Sequence, residues 1–234
     1  MYERELMDAS CRVALAALLH DIGKFAERAR IQGAEELDAH GTKRRDINIQ
    51  LYCPQYDGRY THIHAAYTAI AFDLLERHFP EIVGEDMFPF APWSARGADD
   101  SVINAAAMHH QPETFLQWII ATADRVASGF EREKFEQYNT SSDEKQEKGS
   151  HYAVRQLTIF EQIQLSGGAE DRRDNWHYPL RPMSPESIFP MGPGEFGPRD
   201  STAGQAEYRK LWQEFVEALK DIPESHRASL PLWL

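Results

Sequence analysis

The sequence predicts a mainly α protein with a small β element late in the chain and a connecting helix near its C-terminus. Apolar residues recur at three- and four-residue steps in four runs: Leu15/Leu18/Ile22/Phe25, Ile63/Tyr67/Ile70/Leu74, Phe115/Trp118/Ile119/Thr122/Val126/Phe130 and Tyr208/Leu211/Trp212/Phe215/Leu219/Ile222. That spacing is the signature of a helix with one face turned to a core. Pro80, Pro112 and Pro223 fall between or after these runs, where a helix must stop. A 42% hydrophobic and 26% charged composition over 234 residues supplies enough apolar surface for a real core.

Taken in order, the first helix is expected from about Ser10 to Arg30, with His20 and Asp21 one turn inside it. Adjacent helical residues point about 100° apart, so an imidazole and a carboxylate there meet on one ion only over the edge between them. Gly23 leaves the space beside the pair open, at a helical cost of roughly 1 kcal/mol relative to Ala. Residues 31–60 contain Gly33, Gly41, Pro54 and Gly58 without a helical period and are expected to be mostly loop. Thr61 is placed to cap a second helix that ends near His78, with His64 in its first turn and His62 beside it. The aromatic stretch around Phe88, Phe90 and Trp93 is expected to be a packed loop without chemistry.

Asp99, Asp100 and Ser101 offer caps for a short helix from Val102 to about His110, and Pro112 with Glu113 opens the next. Asp124 falls in the middle of that helix. The polar run from Asn139 to Ser150 is expected to be a flexible loop. Alternation at Val154, Leu157, Ile159, Ile163 and Leu165 suggests one or two short strands. Pro179 to Gly204 is expected to be irregular, ahead of the last helix. The apolar end, Leu230 to Leu234, suggests a docking segment or the boundary of a larger chain. The expected organisation is therefore a core over 1–138, a loop over 139–150, and a β element, linker and helix over 151–234.

Composition excludes several classes. A formal charge of -12 argues against a broad basic face for nucleic acid, although Arg28/Arg30, Lys43-Arg44-Arg45 and Arg172-Arg173 could guide a strand locally. Cys11 and Cys53 stand far apart, so neither a disulfide framework nor a thiolate zinc site is indicated. No stretch approaches the roughly 20 apolar residues of a membrane span, and the first residues lack a signal-peptide pattern. The expectation is a cytoplasmic protein with no membrane partner.

The chemistry-bearing residues are His20-Asp21, His64, His109-His110 and Asp124, all in helical settings and together sufficient for one or two ions. Each has an ordinary alternative. A helical His is commonly a satisfied surface or core residue, and the paired His109-His110 suits a helix C-terminus through its dipole. Asp124, among Ala121, Ala123 and Ala127, is costly to bury unless a metal or an Arg pairs with it. No Ser-His-Asp or Cys-His order and no phosphate-binding Gly loop is present, which leaves metal-activated water as the expected nucleophile. Imidazole with carboxylate suits Mn, Ni, Co, Fe or Zn. With two ions, Asp21 is the expected bridge. Lys24, one turn past His20, is a candidate for contacting a phosphate and equally an ordinary exposed lysine.

With these residues in view, the chain resembles the HD superfamily of metal-dependent phosphohydrolases. More closely, it is similar to the N-terminal HD nuclease domain of the large subunit of type III CRISPR effector complexes. Leu18-Leu19-His20-Asp21-Ile22-Gly23-Lys24-Phe25, His64-Ala65-Ala66-Tyr67-Thr68, His109-His110-Gln111-Pro112 and Ala123-Asp124-Arg125-Val126 look like that family's blocks in order. The Ser187-Ile188-Phe189-Pro190 stretch and the last helix look like the segment leading to its next domain. The resemblance implies an HD-type helical bundle that cuts single-stranded DNA with a divalent metal, alongside other subunits and a guide RNA. Gly167-Gly168-Ala169-Glu170-Asp171 does not match the family's cyclase turn, so oligoadenylate synthesis is not expected. Two other readings stay open: an HD hydrolase of nucleotides or cyclic nucleotides, and a catalytically weak docking module.

Overall fold

The computed structural model describes residues 2–80, 88–91, 98–139, 158, 176–192 and 201–227. The fold is mainly helical with one two-stranded sheet: α1 (Tyr2–Leu19), α2 (Ile22–Ala29), a 3-10 turn (Gln32–Glu35), α3 (Arg44–Tyr52), β1 (Gln55–Tyr56), β2 (Arg59–Tyr60), α4 (His64–His78), a 3-10 turn (Ala98–Asp100), α5 (Val102–Ala107), α6 (Phe115–Asn139), α7 (Ser201–Lys220) and α8 (Glu224–Arg227). No helix among the described residues is long and apolar enough to cross a membrane.

The helix α4 is the hub. Ala65, Ala66, Ala69, Ile70, Ala71, Phe72 and Leu75 are all buried, so it is apolar on nearly every face, as a helix enclosed by neighbours must be. It packs against α3, α5 and the first 3-10 turn, while α1 packs against α5 and α6. Its run of alanines lets those partners approach closely.

Three expectations change here. The first helix is two: α1 stops at Leu19 and α2 starts at Ile22, with His20 and Asp21 in the break between them. Leu15 is buried while Leu18, assigned to the same stripe, is exposed, so the stripe already fails within α1, ahead of the break. Residues 31–60 are not mostly loop but hold α3 and a hairpin whose turn is Asp57-Gly58, both at positive φ. That pair suits the tight two-residue turn that matches strand twist. Register pairs Gln55 with Tyr60 and Tyr56 with Arg59. Thr61 does not cap α4: its hydroxyl donates to the Pro54 carbonyl at 3.1 Å, and Ile63 takes the cap position.

The stripe assigned to α6 is also on the wrong face. Phe115, Trp118, Ile119 and Val126 are exposed, and Leu116, Gln117, Ile120 and Ala121 are buried. Gln117 explains the phase: its Oε1 accepts from the Glu113 and Thr114 N–H groups at 2.7 and 3.3 Å, and its Nε2 donates to the Asp99 carbonyl at 2.7 Å. A polar side chain satisfied in this way can face inward, and it carries Ile120, Ala121 and Asp124 to the same side. At the start of α5, Ser101 acts as expected and accepts from the Asn104 N–H at 3.2 Å.

Chain contacts divide the protein into two compact units, one made of Met1–Glu27, Ile31–Asp143 and Val216–Leu234, the other of Arg28–Arg30 and Glu144–Phe215. In the second, the Thr158 N–H donates to the Trp176 carbonyl and His177 forms a bridge with Met191. Residues 177–191 are otherwise irregular, as expected from Pro179 on, whereas Ser201 to Gly204, also expected to be irregular, already belong to α7. Apart from Thr158, the strands expected at 154–165 lie outside the described residues, as do Gly167 to Asp171, Arg172-Arg173, the polar run after Asn139 and the apolar end at 230–234.

Candidate metal centre

His20 and Asp21 occupy the two-residue break after α1, and the break is held from α4. Thr68, fully buried, donates its hydroxyl to the His20 carbonyl at 2.7 Å and accepts the Gly23 N–H at 3.2 Å. Gly23 permits the approach. A Cβ there would overlap the His64 carbonyl and lie 2.5 Å from the Thr68 nitrogen, so the space beside the pair is filled by the α4 backbone.

Two imidazoles are oriented by the same device. The Nδ1 of His20 lies 2.5 Å from the Ala17 carbonyl, and the Nδ1 of His109 lies 2.6 Å from the Ala106 carbonyl. Each carbonyl belongs to the last turn of the helix just ended, where backbone acceptors lack helical partners. Because a carbonyl only accepts, each Nδ1 carries the proton and each Nε2 presents a lone pair to the interior. Of the two sequence readings of His109, a cation suited to the helix dipole and a side chain reaching inward, the geometry favours the second: its neutral ring uses the helix end as an anchor.

The six candidate ligands come together. The Nε2 of His20 is 3.5 Å from Asp21 Oδ2 and 3.4 Å from Asp124 Oδ1. Asp21 Oδ1 is 3.4 Å from His64 Nε2 and 3.9 Å from His109 Nε2. His64 Nε2 lies 2.8 Å from His110 Nε2. Most of these separations are too long for good hydrogen bonds, yet ligands each about 2.1 Å from one ion stand roughly 3 to 3.5 Å apart. His20 Nε2, Asp21 Oδ1 and His109 Nε2 are buried with no hydrogen-bond partner among the described residues. Buried polar atoms are rarely left so, and three of them facing one another fit a cation that satisfies all three. The buried His64, His109 and His110 could hold a metal ion, and His20, Asp21 and His109 form a second such group.

Burial sets the protonation. It drives the pKa of His64 down to about 3, of His109 to about 4 and of His110 to about 2, the last helped by the neighbouring imidazoles. All three are therefore neutral ligands at pH 7. Burial pushes the Asp21 carboxyl up, but the hydrogen bond from Lys24 and its positive charge act against this, and the net shift is downward.

Lys24 Nζ sits 2.5 Å from Asp21 Oδ2 and is half exposed, so its contact is with the dyad's carboxylate. His62, at positive φ and exposed, lies with its ring 3.9 Å from that of His110, on the outer side of the cluster. Asp124 faces His20, and among the described residues no arginine forms an ion pair with it; Arg125 lies over the Trp118 ring. Thr68 is the residue to which sequence reasoning gave no role. Its signal was available as a hydroxyl four residues after His64, one turn along the same helix face. No protein-family model, curated protein or solved structure matches the chain.

Proposed function

We propose that this protein is a metal-dependent phosphodiesterase that hydrolyses single-stranded DNA, as the resemblance to type III CRISPR HD nuclease domains implies. One observation carries the hydrolytic reading: the convergence of three partnerless buried ligand atoms, from His20, Asp21 and His109, with His64 and Asp124 alongside. Imidazole and carboxylate together favour Mn, Ni, Co, Fe or Zn over a dedicated Mg site. Such an ion, when bound, supplies an acidified water and offsets charge on a phosphoryl group.

The chain's own residues do the rest. His109, wholly buried, forms the floor, while Asp21 and Asp124 retain 31% and 22% side-chain exposure and mark the side from which a phosphodiester approaches. Lys24 holds Asp21 Oδ2 and thereby keeps Oδ1 aimed at His64 and His109. Its half-exposed ammonium also offers a cationic donor at the mouth, where a phosphate would arrive. Asp21, with one oxygen toward His20 and the other toward His64, is the side chain suited to bridging two ions.

The formal charge of -12 supports a working partner, because an acidic chain gains little from phosphate contacts by itself. The partners that fit this reading are the other subunits and guide RNA of a type III effector complex, in the cytoplasm. The test is the double variant His20→Ala/Asp21→Asn. Removing two ligands should abolish Mn- or Ni-dependent cleavage of single-stranded DNA, since supporting-residue changes alone cost roughly 10- to 100-fold. Circular dichroism should be unchanged. Cleavage near the wild-type rate would refute the assignment, and activity confined to free or cyclic nucleotides would replace the DNA substrate.

A further inference from the structure

A second concavity lies on the far flank of α4. Ala69 and Asp73, which line it, follow His64 by five and nine positions, which at about 100° per residue places them roughly 140° to 180° round the helix. The cavity measures about 390 Å³, within the range of small-molecule sites, and is walled by α3, α4, α5 and the Glu36-Leu37-Asp38 segment that follows the first 3-10 turn.

Its lining is largely apolar, with three carboxylates, one guanidinium and one amide. Ile47, Ile103 and the Tyr52 ring form the apolar wall, with the Tyr52 hydroxyl tied to Asn104 Oδ1 at 2.9 Å. Leu37 and Leu51 stand at the rim, 64% and 56% exposed, where a bound apolar group would cover them. Asn48 is the telling residue. It is nine-tenths buried, it lines the cavity, and its side-chain amide has no hydrogen-bond partner among the described residues. Its amide atoms are not among the side-chain atoms sealed from solvent without a partner, so they open onto the cavity, where a ligand N–H can take the place of water.

Three carboxylates face the same space. Glu36 Oε2 and Asp73 Oδ2 accept from Arg44, Glu36 Oε2 also lies 3.5 Å from Arg77, and Asp38 Oδ1 accepts the His40 and Thr42 N–H groups. In every case the second oxygen has no partner among the described residues. The lining therefore holds three carboxylates against the one guanidinium of Arg44. These oxygens do not cluster as metal ligands do: among the described residues the groups spaced for an ion are the His64/His109/His110 and His20/Asp21/His109 sets.

We infer that this cavity binds a small organic cation, an amine or amidinium on a compact apolar body. The charged head meets the free carboxylate oxygens, Asn48 accepts one of its N–H groups, and the body lies between Leu37, Leu51 and Ile103. An anion is excluded by the acidic excess, and a bare metal ion by the spacing of the oxygens.

A charge series on one shape tests this: benzamidine, benzamide and benzoate, titrated by calorimetry and by amide chemical shifts in the presence of EDTA, so that the metal centre takes no part. Benzamidine should bind saturably with shifts centred on α3 and the Glu36-Leu37-Asp38 segment, and benzoate should not bind. Asp38→Asn, on the surface, should weaken benzamidine about tenfold, the value of a hydrogen bond to a charged group. Asn48→Leu, which fills the space with an apolar side chain of similar size, should remove binding while circular dichroism stays unchanged. Non-saturating titration, equal binding of benzamide, or full affinity in Asn48→Leu would each overturn the proposal.

Discussion

Thr68→Val isolates the link between α4 and the His20-Asp21 pair, because valine keeps the shape of threonine and replaces its hydroxyl with a methyl group. In the native protein that hydroxyl serves both sides of the break between α1 and α2, donating to the His20 carbonyl at 2.7 Å and accepting the Gly23 N–H at 3.2 Å. The variant leaves one acceptor and one donor beside a fully buried side chain. Each unsatisfied buried group costs about 1–3 kcal/mol, so the expected loss is about 2–4 kcal/mol if water reaches one of them. For a chain of this size that is a fall in Tm of roughly 4–16 °C. Metal affinity should drop further than stability suggests, by roughly 10- to 100-fold, since the break no longer presents His20 and Asp21 in register with His64. Differential scanning calorimetry in EDTA measures the first quantity and Mn titration the second. Thr68→Ser provides the rescue: it restores both hydrogen bonds and should cost only about 1 kcal/mol for the lost methyl group. If Thr68→Val keeps wild-type Tm and Mn affinity, the hydroxyl does not hold the dyad and the positioning argument fails.

Other outcomes follow from the same geometry. Gly23→Ala places a methyl group onto the His64 carbonyl and against the Thr68 backbone, so its urea midpoint should fall by the equivalent of about 3 kcal/mol or more; an unchanged midpoint would contradict the close packing of α2 on α4. Acid should destabilise the metal-free protein. His64 and His109 titrate near 6.5 when unfolded but at about 3 and about 4 when folded, so the unfolded chain binds more protons below 6.5. Their contribution is complete above pH 6.5 and lost as pH falls toward 4 and then 3, and the lowered Asp21 carboxyl adds loss in the same direction below its ordinary 3.8. A Tm measured in EDTA that stays flat between pH 7 and 4.5 would refute the burial of neutral imidazoles.

Much of the centre was legible from residue type alone. His20, Asp21, His64, His109, His110 and Asp124 are groups whose placement on apolar helices demands a reason, since an unpaired acid or imidazole in a core is expensive wherever the chain folds. Helical periodicity likewise marked α4 and α7, because packing on a core imposes the 3.6-residue repeat on the sequence itself. Periodicity was silent where a second influence set the phase. The α6 sequence carries apolar residues on two faces, and only the pairing of Gln117 with the Glu113, Thr114 and Asp99 backbone decides that Leu116, Ile120 and Asp124 turn inward while Trp118 and Val126 stay outside.

The α1–α2 break shows the division most clearly. A continuous apolar stripe from Leu15 to Phe25 satisfies a local helix, and nothing within those residues announces that Leu19 ends one. What ends it is distant in sequence: the Thr68 hydroxyl takes over the His20 carbonyl and the Gly23 N–H, and the α4 backbone occupies the space that Gly23 leaves. The sequence by itself determined which residues could ligate and that the surrounding fold is helical, because those are properties of side-chain chemistry and spacing. Only the tertiary structure decided how His20 and Asp21 point, which His nitrogen carries the proton, and that Asp124 arrives 3.4 Å from His20, because each depends on hydrogen bonds and packing between helices far apart in the chain.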